Sequence, residues 1–367
     1  MARPRLPRDV EELVHWYERY ISPLSLVAGF LADNFILLKR VDLLRTNLLL
    51  FAYLVIAALG VALINVIEIG RIKHRWVLKI APLIPIGVQF AFGGLFSGYL
   101  SLYSRSASFP ASWIFVLVIA VLLLGNERFT RFYARFSFQV ELYFTVLFSF
   151  LIFFLPVVFH QIGPYMFLLS GAASLAILAL LLYLFSLIAP GLIRAQKTHI
   201  ARTVAVIFIV FNALYFLGAI PPLPLALKDA GVYHSILHEP DGSYKLTGEP
   251  LPWYEVYLPY NTVFDAVPGE SAYVYSAIFA PSGLSTTILH QWQRYDTASK
   301  SWVTTDTLRF AIQGGRDGGY RGYSIKTNIT PGKWRVNVIT QYGQLIGRIS
   351  FTVATVPTPV PLVESTD

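Results

Sequence analysis

The amino-acid sequence predicts a membrane α-helical bundle of about seven transmembrane helices followed by an all-β antiparallel sandwich domain. Three observations lead there. Hydrophobic residues make up 55% of the 367 and charged residues only 14%, against about a quarter charged in an ordinary soluble domain. Apolar runs approaching bilayer length recur through residues 1–220. From Val232 onward the apolar period changes from helical to two. The expected organisation is a helical domain over 1–220, a linker over 221–231, a β-sandwich over 232–354, and a Pro- and Thr-rich disordered tail over 355–367.

A hydrocarbon core of about 30 Å needs roughly 20 apolar residues per helix. The runs that meet or approach this are 21–38, 48–66, 80–103, 110–125, 138–159, 165–188 and 203–220. Asp33 and Asn34 interrupt the first, and the fourth is short. The N-terminal segment mixes Arg3, Arg5 and Arg8 with Asp9, Glu11, Glu12 and Glu18, which is not the pattern of a cleavable signal peptide, so the first span is expected to direct insertion.

Charge sets the expected orientation. Residues 1–220 carry 18 Lys and Arg against 9 Asp and Glu, whereas residues 221–367 carry 11 against 12, so the formal excess of +8 belongs to the helical half. If the N-terminus is cytoplasmic, 14 of those 18 basic residues fall on the cytoplasmic side and only Lys39, Arg40, Arg45 and Arg105 fall outside. Trp76 and Trp113 lie near span ends, where interfacial aromatic anchors sit. The expected orientation has the N-terminus inside and the C-terminal domain outside the cytoplasm. A basic excess confined to membrane loops argues against nucleic-acid binding. The chain has no cysteine, which excludes disulfides, thiolate catalysis and Cys-ligated metals.

Pro221-Pro222-Leu223-Pro224 ends the last helix, because proline lacks the amide donor that would continue it. Beyond it, strands are expected over 232–238, 244–247, 272–280, 286–295, 302–311, 320–326, 333–342 and 345–353, with Pro240-Asp241-Gly242 as a hairpin turn. Trp334, Val336 and Val338 alternate with Arg335 and Asn337, so that strand is expected to turn one face to a core.

Two groups of residues are candidate sites. Asp33, Asn34, Arg40, Asp42 and Arg45 could form a polar cluster at the outer membrane boundary, since a buried unpaired carboxylate is costly. The competing reading is a structural cap where the chain turns. Gln89, Glu141 and Asn212 are polar at hydrocarbon depth and are expected to serve interhelical hydrogen bonds, and Gly94 to Gly98 with Gly87 and Gly93 to allow close helix packing.

In the outer domain, the run Gly314 to Tyr323 combines glycines with Arg316, Asp317, Tyr320, Arg321 and Tyr323. Guanidinium forks and tyrosine faces suit carboxylates, phosphates or sugar rings. The alternative is a long hairpin held by its own Arg–Asp pair. His290 and Trp292 share a strand face and offer either a binding platform or core packing. His160, His234 and His238 lack metal-motif spacing, and the catalytic signatures of hydrolases, kinases and penicillin-binding enzymes are missing, so no metal, cofactor or catalytic residue is expected.

The residues His290-x-Trp292, Gly314-Gly315-Arg316-Asp317-x-x-x-Arg321-Gly322-Tyr323-Ser324 and Gly332-x-Trp334-Arg335-Val336, within 285–353, resemble the bacterial domain of unknown function numbered 2914. Gly29-Phe30-x-x-Asp33, Arg40-Val41-Asp42 and Asn126-Glu127 are similar to the membrane region attached to that domain in a subset of such proteins. The resemblance implies a Gram-negative inner-membrane protein with a periplasmic module and brings no catalytic residues. The leading expectation is a non-enzymatic module binding a periplasmic protein, glycan or envelope lipid, with the bilayer as its other partner. Second is a transporter or channel built on Asp33, Asn34, Gln89 and Asn212, and third is an enzyme acting on lipid-linked substrates.

Overall fold

The computed structural model describes residues 31, 40–106, 109–126, 135–251 and 260–367. They form a helical N-terminal region and a C-terminal β-sheet region, with the main division between Ile220 and Pro221. The helices are α1 (Leu44–Glu68), α2 (Arg75–Ile80), α3 (Ile84–Ser106), α4 (Phe109–Asn126), α5 (Phe136–Phe159), α6 (Pro164–Ile188) and α7 (Pro190–Phe216), with one 3-10 turn at Ala81–Leu83 joining α2 to α3.

Among the described residues, five helical stretches are long and apolar enough to cross a membrane: α1, α2 continued through α3, α5, α6 and α7. The apolar part of α4, Ala111–Asn126, is shorter. The run expected over 21–38 lies outside the described residues apart from Leu31. The last helix departs from expectation: it begins at Pro190 rather than Thr203 and ends at Phe216. Proline is well placed in a first helical turn, so the polar segment bearing Arg194, Lys197, His199 and Arg202 continues the helix instead of forming a loop.

Helix α5 is the centre of this region, with 67% of its most apolar window buried against 22–39% for the other spans. Its Phe148 stacks on Phe208 and Phe211 of α7 at centroid distances of 5.8 and 4.7 Å. From α3, Tyr99 and Tyr103 donate to the carbonyls of Val146 and Ser149 at 2.8 and 2.9 Å, so each buried phenol is satisfied by the backbone of α5. Gly94 meets Tyr53 of α1 so closely that a Cβ would sit 2.6 Å from the ring. That glycine therefore serves helix packing.

The C-terminal strands are β1 (Ala226–Tyr233), β2 (Ser235–His238), β3 (Tyr244–Gly248), β4 (Val263–Ala266), β5 (Ala272–Phe279), β6 (Ser285–Asp296), β7 (Ser301–Gln313), β8 (Tyr320–Lys326), β9 (Gly332–Thr340), β10 (Leu345–Thr355) and β11 (Val363–Thr366). They make three sheets, ordered β1-β5-β8, β4-β10-β9-β6-β7 and β11-β3-β2. All pairs are antiparallel except β4 with β10. Trp334, Val336 and Val338 are buried with Ile288, Trp292 and Phe351 on the inner face of the five-stranded sheet. Side chains of β5 and β8 reach β6 across this interior, while Ile236 and Leu246 of the third sheet pack on Tyr275 and Ala277 from the opposite side of β5.

Four expectations need correction. The stretch 221–231 is not wholly a linker, because β1 starts at Ala226. The strand expected over 232–238 is divided at His234 into β1 and β2, which belong to different sheets. The tail 355–367 ends in β11 rather than in disorder. All four β11 residues are exposed, so no apolar alternation marks it, and its order comes from backbone pairing with β3. The run 314–323 is not a hairpin: β7 pairs with β6 and β8 with β5, so it carries the chain from one sheet to another.

Candidate ligand face on the β-sheet region

The glycines of the 314–319 segment first serve this crossing. A Cβ on Gly314 would lie 1.9 Å from the carbonyl oxygen of Pro281, and the Gly314 amide donates to Leu284 at 2.8 Å. Gly315, at φ 111°, donates to Ala280 at 3.0 Å. The backbone is thereby clamped on the 280–284 turn, a geometry only glycine tolerates. Arg316 and Asp317 then stand exposed at the tip.

Strand alternation divides the predicted residues of β8. Arg321 and Tyr323 register opposite Ala277 and Tyr275 of β5, on the side that bears the tyrosines. Tyr323 lies 6.2 Å from Tyr244 of β3 and 6.4 Å from Tyr273 of β5, ring centre to ring centre, and is 37% exposed. Tyr244 also contacts His238 at 4.8 Å and Tyr275 at 5.9 Å. Partial burial raises the Tyr244 phenol above its ordinary pKa, helped by Tyr320 and Tyr323, while Arg316 and Arg321 oppose the shift. Both guanidiniums therefore act on this tyrosine group. Arg316 and Tyr323 leave a polar and aromatic face, whereas Tyr320 alternates to the side of Gly322 and Ser324, and Arg321 is paired within the chain. Its Nε donates to Oδ2 of Asp367 at 3.1 Å, and the Tyr275 hydroxyl donates to the same oxygen.

His290 and Trp292 do not join that face. Both are fully buried. The two imidazole nitrogens of His290 lie 2.8 Å from the hydroxyls of Ser276 and Ser324, and Trp292 Nε1 donates to Ser324 at 3.0 Å. Burial pushes the His290 pKa down to about 3, so the ring is neutral and structural. A Ser–His pair of this length would suggest catalysis if a substrate could reach it, but Ser276 and His290 have no exposed surface. A ligand platform made from His290 and Trp292 is thus replaced by a hydrogen-bonded core.

A second histidine site was not visible from residue spacing. His234, where β1 gives way to β2, has Nδ1 at 2.6 Å from Glu270 and Nε2 at 3.0 Å from Glu249, and its ring stacks on Phe264 at 4.3 Å. Burial would lower its pKa, but hydrogen bonds and charge from the two carboxylates prevail and the net shift is upward. The carboxylates are positioned by backbone amides, Asp265 donating to Glu249 and Val267 to Glu270. Glu249 and Glu270 are 15 and 36 residues from His234, so only the fold brings them together. Among the described residues no group of three His, Asp or Glu side chains is arranged to hold a metal ion.

In the helical region, Arg40 and Asp42 form a two-pronged ion pair, with Nε to Oδ1 at 2.9 Å, and Arg45 is exposed. Asp33 and Asn34 lie outside the described residues. Gln89 and Asn126 exchange amide-to-backbone bonds at 3.3 and 3.0 Å, while Asn212 donates to Phe208 on its own helix at 2.8 Å. Gln89 thus bonds across to α4 and Asn212 within its own helix, so the two have separate partners. Glu141 lies 3.4 Å from His199.

An apolar helical region joined to a β-sheet domain defines the general class of this chain. Residues 285–353, covering β6 to most of β10, match the family described as protein of unknown function (DUF2914), which places a DUF2914 domain at the C-terminal end. No curated protein matches the chain. Among solved structures, Pseudomonas fluorescens alkylpurine DNA glycosylase AlkC bound to DNA containing an abasic site analog is 10% identical, with 77% of this chain and 83% of that chain covered. Its TM-score of 0.22 carries no structural argument.

Proposed function

We infer that this is a multi-pass inner-membrane protein whose helices anchor a periplasmic β-sandwich, and that the sandwich binds an anionic glycan of the cell envelope without catalysing a reaction. One observation carries the binding assignment: Tyr323, in ring contact with Tyr244 and Tyr273, and Arg316 remain exposed, while the neighbouring Arg321 is paired with Asp367. Tyrosine faces pack on sugar rings, and a guanidinium fork recognises carboxylate or phosphate. The excess of basic residues in the helical half supports the orientation.

The test compares retention of full-length protein and its Arg316→Ala and Tyr323→Ala variants on immobilised, purified anionic envelope glycans. Retention of the parent and its loss in both variants is expected. No retention of the parent, or equal retention of all three, overturns the assignment.

A further inference from the structure

The five-stranded sheet turns Trp292, Trp334 and Val336 to the core, so strand alternation sends Gln291 and Gln293 of β6, Arg335 and Asn337 of β9, and Arg348 of β10 to its other face. Register sets Gln293 opposite Arg335, and Asn337 opposite both Gln291 and Arg348. The two arginines are therefore diagonal neighbours on adjacent strands, a spacing that long side chains bridge. Thr304, Thr307 and Ser350 on the same face are exposed, so solvent reaches it.

Hydrogen bonds join these side chains into one unit. Arg335 donates from Nε to Oε1 of Gln293 at 2.7 Å, the Asn337 amide donates to the same oxygen at 3.2 Å, and Arg348 donates from Nε to Oδ1 of Asn337 at 2.7 Å. Asn337, the link between the two arginines, is buried. The Arg335 guanidinium also lies over the Trp302 ring, 4.3 Å from its centre. Each guanidinium is thus oriented through Nε by a neutral amide, while among the described residues its terminal nitrogens meet no acceptor. These half-buried charges repel: burial lowers the pKa of both, and Arg348 lowers that of Arg335 further. Among these five strands the acidic residue of this face is Asp265 of β4, which stands opposite Ala354, six residues along β10 from Arg348 and so about 20 Å away. The chain itself supplies the pair with no counter-charge among the described residues.

We propose that Arg335 and Arg348 form a binding site for a phosphate monoester, the two guanidiniums sharing its phosphoryl oxygens. A carboxylate has two oxygens and one charge, which a single guanidinium fork satisfies. A phosphomonoester brings three terminal oxygens and close to two charges, which call for two forks. Holding both guanidiniums in place before the ligand arrives reduces the side-chain freedom lost on binding. The site stands on a different sheet from Tyr323 and is independent of the glycan reading.

The experiment titrates full-length protein in detergent, at about pH 8 where a phosphomonoester is a dianion, with glycerol 3-phosphate, the diester glycerophosphoglycerol and acetate, read by isothermal titration calorimetry. Glycerol 3-phosphate is expected to bind most tightly of the three. Arg335→Gln and Arg348→Gln should each weaken its binding about tenfold, as loss of one charge-assisted hydrogen bond implies. Arg309→Gln, which removes an exposed charge of the same face outside the network, should leave it unchanged. Phosphatidic acid in mixed micelles that displaces glycerol 3-phosphate at lower concentration than the free ester does assigns the phosphate to a lipid, and the reverse order assigns it to a soluble ligand. Failure of the parent protein to bind glycerol 3-phosphate, or equal affinity for the three anions, overturns the site, and neither readout depends on how the variants fold. Undiminished binding by both Arg335→Gln and Arg348→Gln places the phosphate elsewhere and overturns it as well.

Discussion

The Arg321 guanidinium donates from Nε to Oδ2 of Asp367 at 3.1 Å, joining β8 to the residue that follows β11. The Tyr275 hydroxyl meets the same carboxylate, and its pKa is raised by burial and by that contact. An arginine that reads in sequence as a ligand donor is therefore a clasp between two sheets.

The two arginines of the 314–323 run should separate in experiment. Arg321→Ala should destabilise the C-terminal domain by about 1 kcal/mol, because the pair is about one-third exposed and partly screened by water. Arg316→Ala should leave the melting temperature unchanged while reducing glycan retention. Differential scanning fluorimetry on both variants checks this. A melting temperature lowered by Arg316→Ala and untouched by Arg321→Ala would reverse the assignment.

The His234 site predicts a pH dependence with a definite sign. Its folded pKa is raised, so protonation favours the folded state. The contribution is complete below the unfolded histidine value of about 6.5 and is lost as pH rises through the folded value. Urea midpoints of the C-terminal domain should fall across that interval, and His234→Asn should remove most of the slope. An unchanged slope in the variant would assign the effect to other groups.

Residues 221–367, expressed alone, should give a β-rich circular-dichroism spectrum, since three sheets and their buried residues lie within them. Removing 357–367 should lower the melting point of that fragment by deleting β11 and the Asp367 contacts with Tyr275 and Arg321. A chiefly helical spectrum, or identical melting of the two fragments, contradicts this account.

A reporter joined after Val353 should be active only in the form that requires export, because 14 of the 18 basic residues in the helical half sit on the opposite side of the predicted topology. Activity of a cytoplasm-dependent reporter at the same position would reverse the orientation.

The sequence alone determined the features that depend on local chemistry. Apolar runs located helices α1 and α3 to α6 closely, because exclusion of backbone polar groups from apolar surroundings demands continuous helix. Period-two alternation located most of β5 to β10, and it marked Trp334, Val336 and Val338 as core. Tertiary structure decided what local pattern cannot encode. β11 is ordered by pairing with β3 while every residue in it stays exposed. His290 finds Ser276 and Ser324, and His234 finds Glu249 and Glu270, across separations set by topology. The same arginine chemistry serves a clasp at Arg321 and an open face at Arg316, because strand register aims one toward Asp367 while the crossing between sheets leaves the other in solvent.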